Sequence, residues 1–168
     1  MSNPQVSGSP DKQPILLLIY GAGGHKTEMT RLLNYLKLLP AMSVVSLGDG
    51  PLKNELAHYR AQDVRSKVSR WRSVCLIVPT LLSTLTNLIA IQRRYKVVGV
   101  VSTGPGICIL PMLFFRLCGV KTVFLETFCR FQTRSFTGRI MYKIAHRFLI
   151  QNRELQSLYP DAEYSGRL

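Results

Sequence analysis

His25 and Glu28 are the first residues whose types and spacing suggest chemistry. They stand three positions apart, directly after Gly21-Ala22-Gly23-Gly24, and on a helix that spacing puts them on one face. An imidazole titrates near neutral pH and suits general base work, and a carboxylate beside it can orient the ring. Gly21, Gly23 and Gly24 let the chain turn sharply and leave N–H groups unblocked at a helix start, where the peptide dipoles favour negative charge. A phosphate or diphosphate fits such a cradle. Plainer roles compete: His25 ordering its own loop, and Glu28 complementing the positive end of the helix. Two well-known glycine signatures fail here. A dinucleotide fingerprint from Gly21 needs glycine where Lys26 stands, and a Walker A loop needs it where His25 stands.

Glu126 is the second candidate. It follows Thr122-Val123-Phe124-Leu125, and a carboxylate at the end of a buried strand is unexpected unless it is paired or working. It is either a second possible base or the partner of Arg130 or Arg134. Ser102-Thr103-Gly104-Pro105-Gly106 precedes an apolar helix and either holds phosphate on its N–H groups, of which Pro105 offers none, or is a steric turn. Arg130, Arg134 and Arg139 suit diphosphate or lipid head groups, or a solvated face. The chain has no Asp-x-Asp pair to hold a divalent ion against a diphosphate, so no metal is expected.

These residues must be held by an alternating pattern. Ile15 to Tyr20 reads as a buried strand, Met29, Leu32, Leu33, Leu36 and Leu39 recur at helical spacing up to Pro40, and Ser43 to Leu47 reads as a second strand. A short helix is expected from about Leu52 to Tyr59. Strands follow at Val97–Val101, Thr122–Leu125 and Arg147–Ile150, with helices at Ile107–Leu117 and Thr137–Ala145. Alternation of this kind predicts an α/β fold with a parallel, doubly wound sheet, whose ligands collect beyond the carboxyl ends of the strands. The loops Gly21–Glu28, Ser102–Gly106 and Glu126–Thr137 are all expected on that edge.

The chain has 168 residues, enough for one domain with a proper core, and carries 22 Lys and Arg against 9 Asp and Glu, a formal net charge of +13. Such a balance implies nucleic acid, anionic lipid or phosphorylated substrates. No recognition helix, zinc-ligand set or aromatic RNA-binding strand motif accompanies the charge, so nucleic acid is not expected. Cys75, Cys108, Cys118 and Cys129 show no Cys-x-x-Cys spacing and lie in mostly apolar runs, which predicts reduced, buried thiols. Residues 1–14 read as a disordered tail without the features of a secretory signal, which places the chain in the cytoplasm or on the cytoplasmic side of a membrane. The domain is taken as 15–168.

The interval from 63 to 96 stands apart. Arg65, Lys67, Arg70 and Arg72 precede an 18-residue uncharged run, Val74 to Ile91, and Arg93, Arg94 and Lys96 follow it. Pro79 and the set Thr80, Ser83, Thr84, Thr86 and Asn87 weaken a spanning reading. Thr80, Ser83, Thr84 and Asn87 share one helical face, against Val78, Leu81, Leu82, Leu85, Leu88 and Ile89. That suits a helix lying in a membrane plane, with Arg70, Arg72, Arg93 and Arg94 on anionic head groups and Leu81, Leu82 and Leu85 in the lipid. An ordinary amphipathic helix packed on the sheet fits equally.

Taken together, the pieces resemble the membrane-associated subunit of two-part N-acetylglucosaminyltransferases that extend lipid-linked oligosaccharides, a family with bacterial relatives in exopolysaccharide synthesis. The matching stretches are Gly21–Met29, Ser102–Gly106, Glu126 with Arg130, Ser135, Thr137-Gly138-Arg139 and Tyr142, and Tyr159–Leu168. They occur in family order over nearly the whole chain. One departure is Gln151-Asn152, where members often carry Gln-Trp. Eukaryotic members also carry an amino-terminal spanning helix, so membrane contact is expected to rest on residues 63–96.

The resemblance implies a single Rossmann-like lobe equivalent to the amino-terminal half of a GT-B glycosyltransferase, similar to that half of the peptidoglycan lipid-intermediate transferase. It implies a second, catalytic chain that holds the UDP-sugar, a polyprenyl-diphosphate-linked acceptor on this chain, an anionic membrane surface as partner, and no cofactor of this chain's own. The sugar is left open between N-acetylglucosamine and glucuronic acid. His25, Glu28 and Glu126 become the catalytic candidates. Gly21, Gly23, Gly24, Thr103, Gly104, Gly106, Arg130, Ser135 and Thr137 become the acceptor contacts, and Tyr159, Tyr164 and Leu168 the contacts to the partner chain. The competing reading of that last block is a final helix and strand completing the domain. A scaffold that recruits the catalytic chain without reacting groups is the main functional alternative.

Overall fold

A computed structural model describes residues 12–36, 42–61 and 70–168, with side chains left out at 36 and 70–77. The expected tail up to residue 11, the helix-one positions Leu36, Leu39 and Pro40, the cations Arg65, Lys67, Arg70 and Arg72, and Cys75 lie outside the described residues or side chains.

Seven strands form one sheet in the order β3-β2-β1-β4-β5-β6-β7, and every pairing is parallel. The strands are β1 (Pro14–Tyr20), β2 (Ser43–Gly48), β3 (Ala57–Arg60), β4 (Lys96–Ser102), β5 (Lys121–Leu125), β6 (Arg147–Ile150) and β7 (Glu163–Tyr164); the helices are α1 (Gly24–Leu36), α2 (Arg70–Arg94), α3 (Ile109–Leu117) and α4 (Phe136–Ile144). The apolar run of β1 is explained by its place between β2 and β4, because a central parallel strand is covered on both faces. Ile15, Leu17 and Ile19 pack with Leu88 and Ile91 of α2, Met112 and Phe115 of α3 and Met141 of α4. Leu18 and Tyr20 face the other way, onto Met29 and Leu33 of α1 and onto Leu52. From β1 the strands run outward through β2 to β3 on one side and resume on the other with β4, so the crevice between β1 and β4 is the switch point where such sheets bind ligands.

The short helix expected over Leu52–Tyr59 does not form. Asn54 takes a left-handed backbone, φ 63°, which interrupts a right-handed helix. Leu56 N–H then bonds to the Val44 carbonyl, 2.8 Å, and Ala57 to Arg60 pair with Val45 to Gly48 as an edge strand. The open edge of β2 overrides local pattern. Past β6, a 3-10 turn at Arg153–Ser157 and the two-residue β7 complete the sheet, and Leu155 and Tyr159 enter the core.

The cysteines also depart in part from expectation. Cys108 is buried, and burial pushes its thiol up to about 12, whereas Cys118 and Cys129 are exposed; all three are free. Both exposed thiols sit in turns that end the apolar runs.

Helix α2 packs through Leu88, Ile91 and the buried Thr84, and Asn87 Nδ2 donates to the Arg60 carbonyl at 3.1 Å. Among its described side chains most of the large apolar ones point outward: Val78 is 62% exposed and Leu82 59%, with Leu81, Leu85 and Ile89 also exposed. On neighbouring α3, Leu117 is 79% exposed and Leu113 39%. Among the described residues no helix is long and apolar enough to cross a membrane.

Candidate functional site

The first and second glycine loops clasp each other. Gly21 N–H donates to the Gly104 carbonyl, 3.1 Å, and a Cβ at Gly21 would overlap the Pro105 ring. Thr103 Oγ donates to the His25 carbonyl at 2.9 Å, and His25 Nδ1 lies 2.6 Å from the Thr103 carbonyl oxygen. A carbonyl only accepts, so Nδ1 carries the proton and Nε2 remains the acceptor nitrogen, with no partner among the described residues. Gly104 makes this possible: its φ is +89° and a Cβ there would meet the His25 ring.

Beside that clasp is a pocket lined by His25, Thr103, Gly104, Pro105, Gly106, Phe124, Glu126, Thr127, Arg130, Ser135, Phe136 and Thr137. Of the expected contacts, His25, Glu126, Thr103, Gly104, Gly106, Arg130, Ser135 and Thr137 meet here. Gly21 instead packs against Pro105, while Gly23 and Gly24 lie exposed at the α1 start, with open space where their side chains would be. Thr103 is buried, and its hydroxyl serves His25. Sequence reasoning passed over Phe136, 69% exposed at the first position of α4, where it lines the pocket, and Phe131, 45% exposed in the loop directly after Arg130. An exposed aromatic in a loop or at the first position of a helix carries no periodic signal.

Glu28 is not a solvated charge at a helix start, for it is 1% exposed. Its Oε1 accepts from Thr127 Oγ at 3.0 Å, Phe128 N–H at 2.9 Å and Gln151 Nε2 at 3.3 Å. Its Oε2 has no hydrogen-bond partner and stands 3.6 Å from His25 Nδ1. Burial works against the charged imidazole, but Glu28, the Thr103 carbonyl and Glu126 outweigh it and hold His25 above its ordinary pKa.

Glu126 is 2% exposed and forms no ion pair with Arg130 or Arg134. Arg130 donates to Thr133 Oγ at 3.0 Å, and Arg134 donates to the Leu158 carbonyl while stacking 5.3 Å over the Tyr159 ring. Hydroxyl and amide donors replace the expected cations: Ser135 Oγ at 3.1 Å and Tyr159 OH at 3.2 Å on Oε2, and Thr127 N–H at 3.3 Å on Oε1. Burial raises the Glu126 pKa, with those bonds and Arg130 opposing it. Ser135 also caps α4, accepting from Gly138 N–H at 2.7 Å.

Tyr159 is therefore not an exposed partner contact. It is fully buried, and its phenol is pushed up by burial and by Glu126, so it stays a donor. Tyr164 is 44% exposed under Arg153, whose guanidinium lies 4.8 Å from the ring. At the position where the resembled family often carries tryptophan, Asn152 Nδ2 donates to the Phe128 and Arg130 carbonyls and ties down the turn that carries Arg130.

Residues 16–168 match the model of a family described as oligosaccharide biosynthesis protein Alg14 like. The chain belongs to this family. It is 30% identical over 189 residues to the UDP-N-acetylglucosamine transferase subunit ALG14 of Saccharomyces cerevisiae, covering 94% of this chain and 78% of that protein. With the Homo sapiens subunit of the same name it shares 28% identity over 184 residues, covering 95% and 85%. Among solved structures, Acinetobacter baumannii MurG superposes with a TM-score of 0.57 at 14% identity, over 82% of this chain and 41% of that one. Phytolacca americana UGT2 superposes at 0.55 and 12% identity, over 91% and 50%. The Alg14-like chain thus has the fold of one lobe of GT-B glycosyltransferases such as MurG.

Proposed function

We propose that this chain is the acceptor-side subunit of a heteromeric glycosyltransferase, which moves N-acetylglucosamine from its UDP-sugar to a polyprenyl-diphosphate-linked acceptor. The observation that carries this reading is the pocket that His25 and Glu126 line together with the Thr103–Gly106 loop, on a chain equivalent to a single lobe. The donor belongs on a companion chain, and this chain needs no cofactor of its own. A lone lobe lacks the facing wall that would enclose a sugar nucleotide and exclude water. The names of the yeast and human relatives, UDP-N-acetylglucosamine transferase subunits, support the sugar and the subunit role.

The acceptor diphosphate lies against the N–H groups of the Gly23-Gly24 helix start, the Gly104–Gly106 turn and Arg130, where helix dipole and guanidinium favour anions. His25 Nε2 removes the proton from the acceptor hydroxyl as its oxygen bonds to the anomeric carbon and the bond to UDP breaks. The proton ends on the imidazole, whose charge Glu28 and the Thr103 carbonyl stabilise. Glu126 takes the base role only if His25 proves dispensable.

Recruitment to an anionic membrane, on its cytoplasmic face, is assigned to the outward leucines of α2 with Arg93 and Arg94 at its end. Phe131 and Phe136 offer the isoprenoid an apolar rest beside the phosphate-binding cations. Tyr164 and Leu168 are assigned to the partner. In the reconstituted pair, His25→Ala is expected to lower transfer by about 10²–10⁴-fold with the complex intact. Full turnover in both His25→Ala and Glu126→Gln complexes would leave only the recruiting scaffold.

A further inference from the structure

The amide of Gln151 hydrogen-bonds both the terminal segment and the Glu28 carboxylate, and the other oxygen of that carboxylate stands 3.6 Å from the His25 ring. Gln151 is 2% exposed. Its Oε1 accepts the Leu168 N–H at 3.0 Å, and its Nε2 donates to Glu28 Oε1 at 3.3 Å and to the Glu126 carbonyl at 3.1 Å. Reversing the amide would set NH₂ against N–H and oxygen against two acceptors, so the Leu168 N–H helps to dictate which end faces Glu28. Glu28 Oε1 is crowded by three donors, leaving Oε2, 3.6 Å from His25 Nδ1, as the oxygen open to the imidazole. The segment beyond β7 is held on the outside by Ser165 N–H on the Ile150 carbonyl at 3.0 Å, Arg31 on the Leu168 carbonyl at 3.2 Å, and Arg167 stacked 5.2 Å from the Phe128 ring. Each of these contacts has one exposed member, Ser165, Arg31 or Arg167, that a docking chain can reach.

We propose that Gln151 is a positioning residue that conveys the seating of the Ser165–Leu168 segment to His25, so that the proton affinity of the imidazole differs between a seated and a displaced segment. The part of this inference that concerns catalysis rests on the proposed two-chain function; the coupling itself does not. Charged groups that act on His25 are Glu28 from α1 and Glu126 after β5, with Arg130 lining the same pocket. Of these carboxylates, only Glu28 receives the Gln151 side chain on its own side chain. With that donor gone, Glu28 keeps more of its charge for the imidazole.

The test is an imidazole NMR titration of the full chain as wild type, Gln151→Leu, Leu168→Pro and the double variant. Leu168→Pro deletes one N–H at a partly exposed position and leaves the core alone, so it decides the matter even if Gln151→Leu fails to fold. Each single change is expected to raise the His25 midpoint by about half a unit, the scale of one altered hydrogen bond, and the double variant to go no further. An unmoved midpoint in Leu168→Pro, or additive shifts in the double variant, would overturn the coupling. Adding the co-purified donor-binding chain should move the midpoint in wild type and not in Gln151→Leu; equal movement in both would also overturn it. If the midpoint moves while the pH profile of sugar transfer does not, the relay stands and the base role of His25 falls.

Discussion

Glu126 occupies the space where a side chain at Gly138 would begin. A Cβ built on Gly138 would overlap Glu126 Oε2 and crowd Tyr159 OH and Ser135 Oγ, so the first turn of α4 and the buried carboxylate fit only because residue 138 has no side chain. The glycine that follows Thr137 is thus explained by close approach rather than by backbone freedom.

Gly138→Ala should therefore destabilise the fold by about 1–3 kcal/mol through overpacking, although alanine is normally the better helix former. Chemical denaturation measures it. An unchanged or raised midpoint would mean that Glu126 is not seated against the helix.

Burial holds the Glu126 pKa above its unfolded value. The protonated form is then favoured by folding, so this contribution is complete below the unfolded carboxyl range and is lost as pH rises through the folded value. Glu126→Gln, which cannot ionise, should gain stability relative to wild type on going from pH 4 to pH 8. Denaturant midpoints at the two pH values provide the check, and a variant that loses stability relative to wild type as pH rises would contradict the assignment.

The outward leucines of α2 give a separable prediction. Leu81, Leu82 and Leu85 are exposed, so replacing all three with serine should leave the thermal midpoint nearly unchanged, within about 0.5 kcal/mol per site. Each buried leucine contributes up to about 1.5–3 kcal/mol of transfer energy. Flotation with vesicles containing anionic lipid should accordingly fall at least about tenfold. Wild-type flotation by the triple variant would return α2 to the role of an ordinary surface helix.

Much of the fold was legible because strong signals have local causes. The apolar run of β1, the helical leucines of α1 and the glycine loops all report burial or backbone geometry at their own positions. Edge strand β3 was not legible, since Ala57 to Arg60 lack a strand pattern and pair only because β2 offers an open edge. The site was legible as a set of loops, but its wiring was not. Glu126 sits among hydroxyls rather than arginines because Ser135 and Tyr159, 9 and 33 residues away, arrive beside it. Tyr159 was expected at the partner only through the family resemblance, and no pattern among its polar neighbours marks it as core; Gln151 stood out only as part of a departure from the family's pair.

The central claim is that the catalyst is shared between two chains. Purified chain, incubated with labelled UDP-N-acetylglucosamine and a polyprenyl-diphosphate acceptor, should transfer no sugar above background, and adding the donor-binding companion should restore turnover. Full-rate transfer by this chain alone would contradict the account.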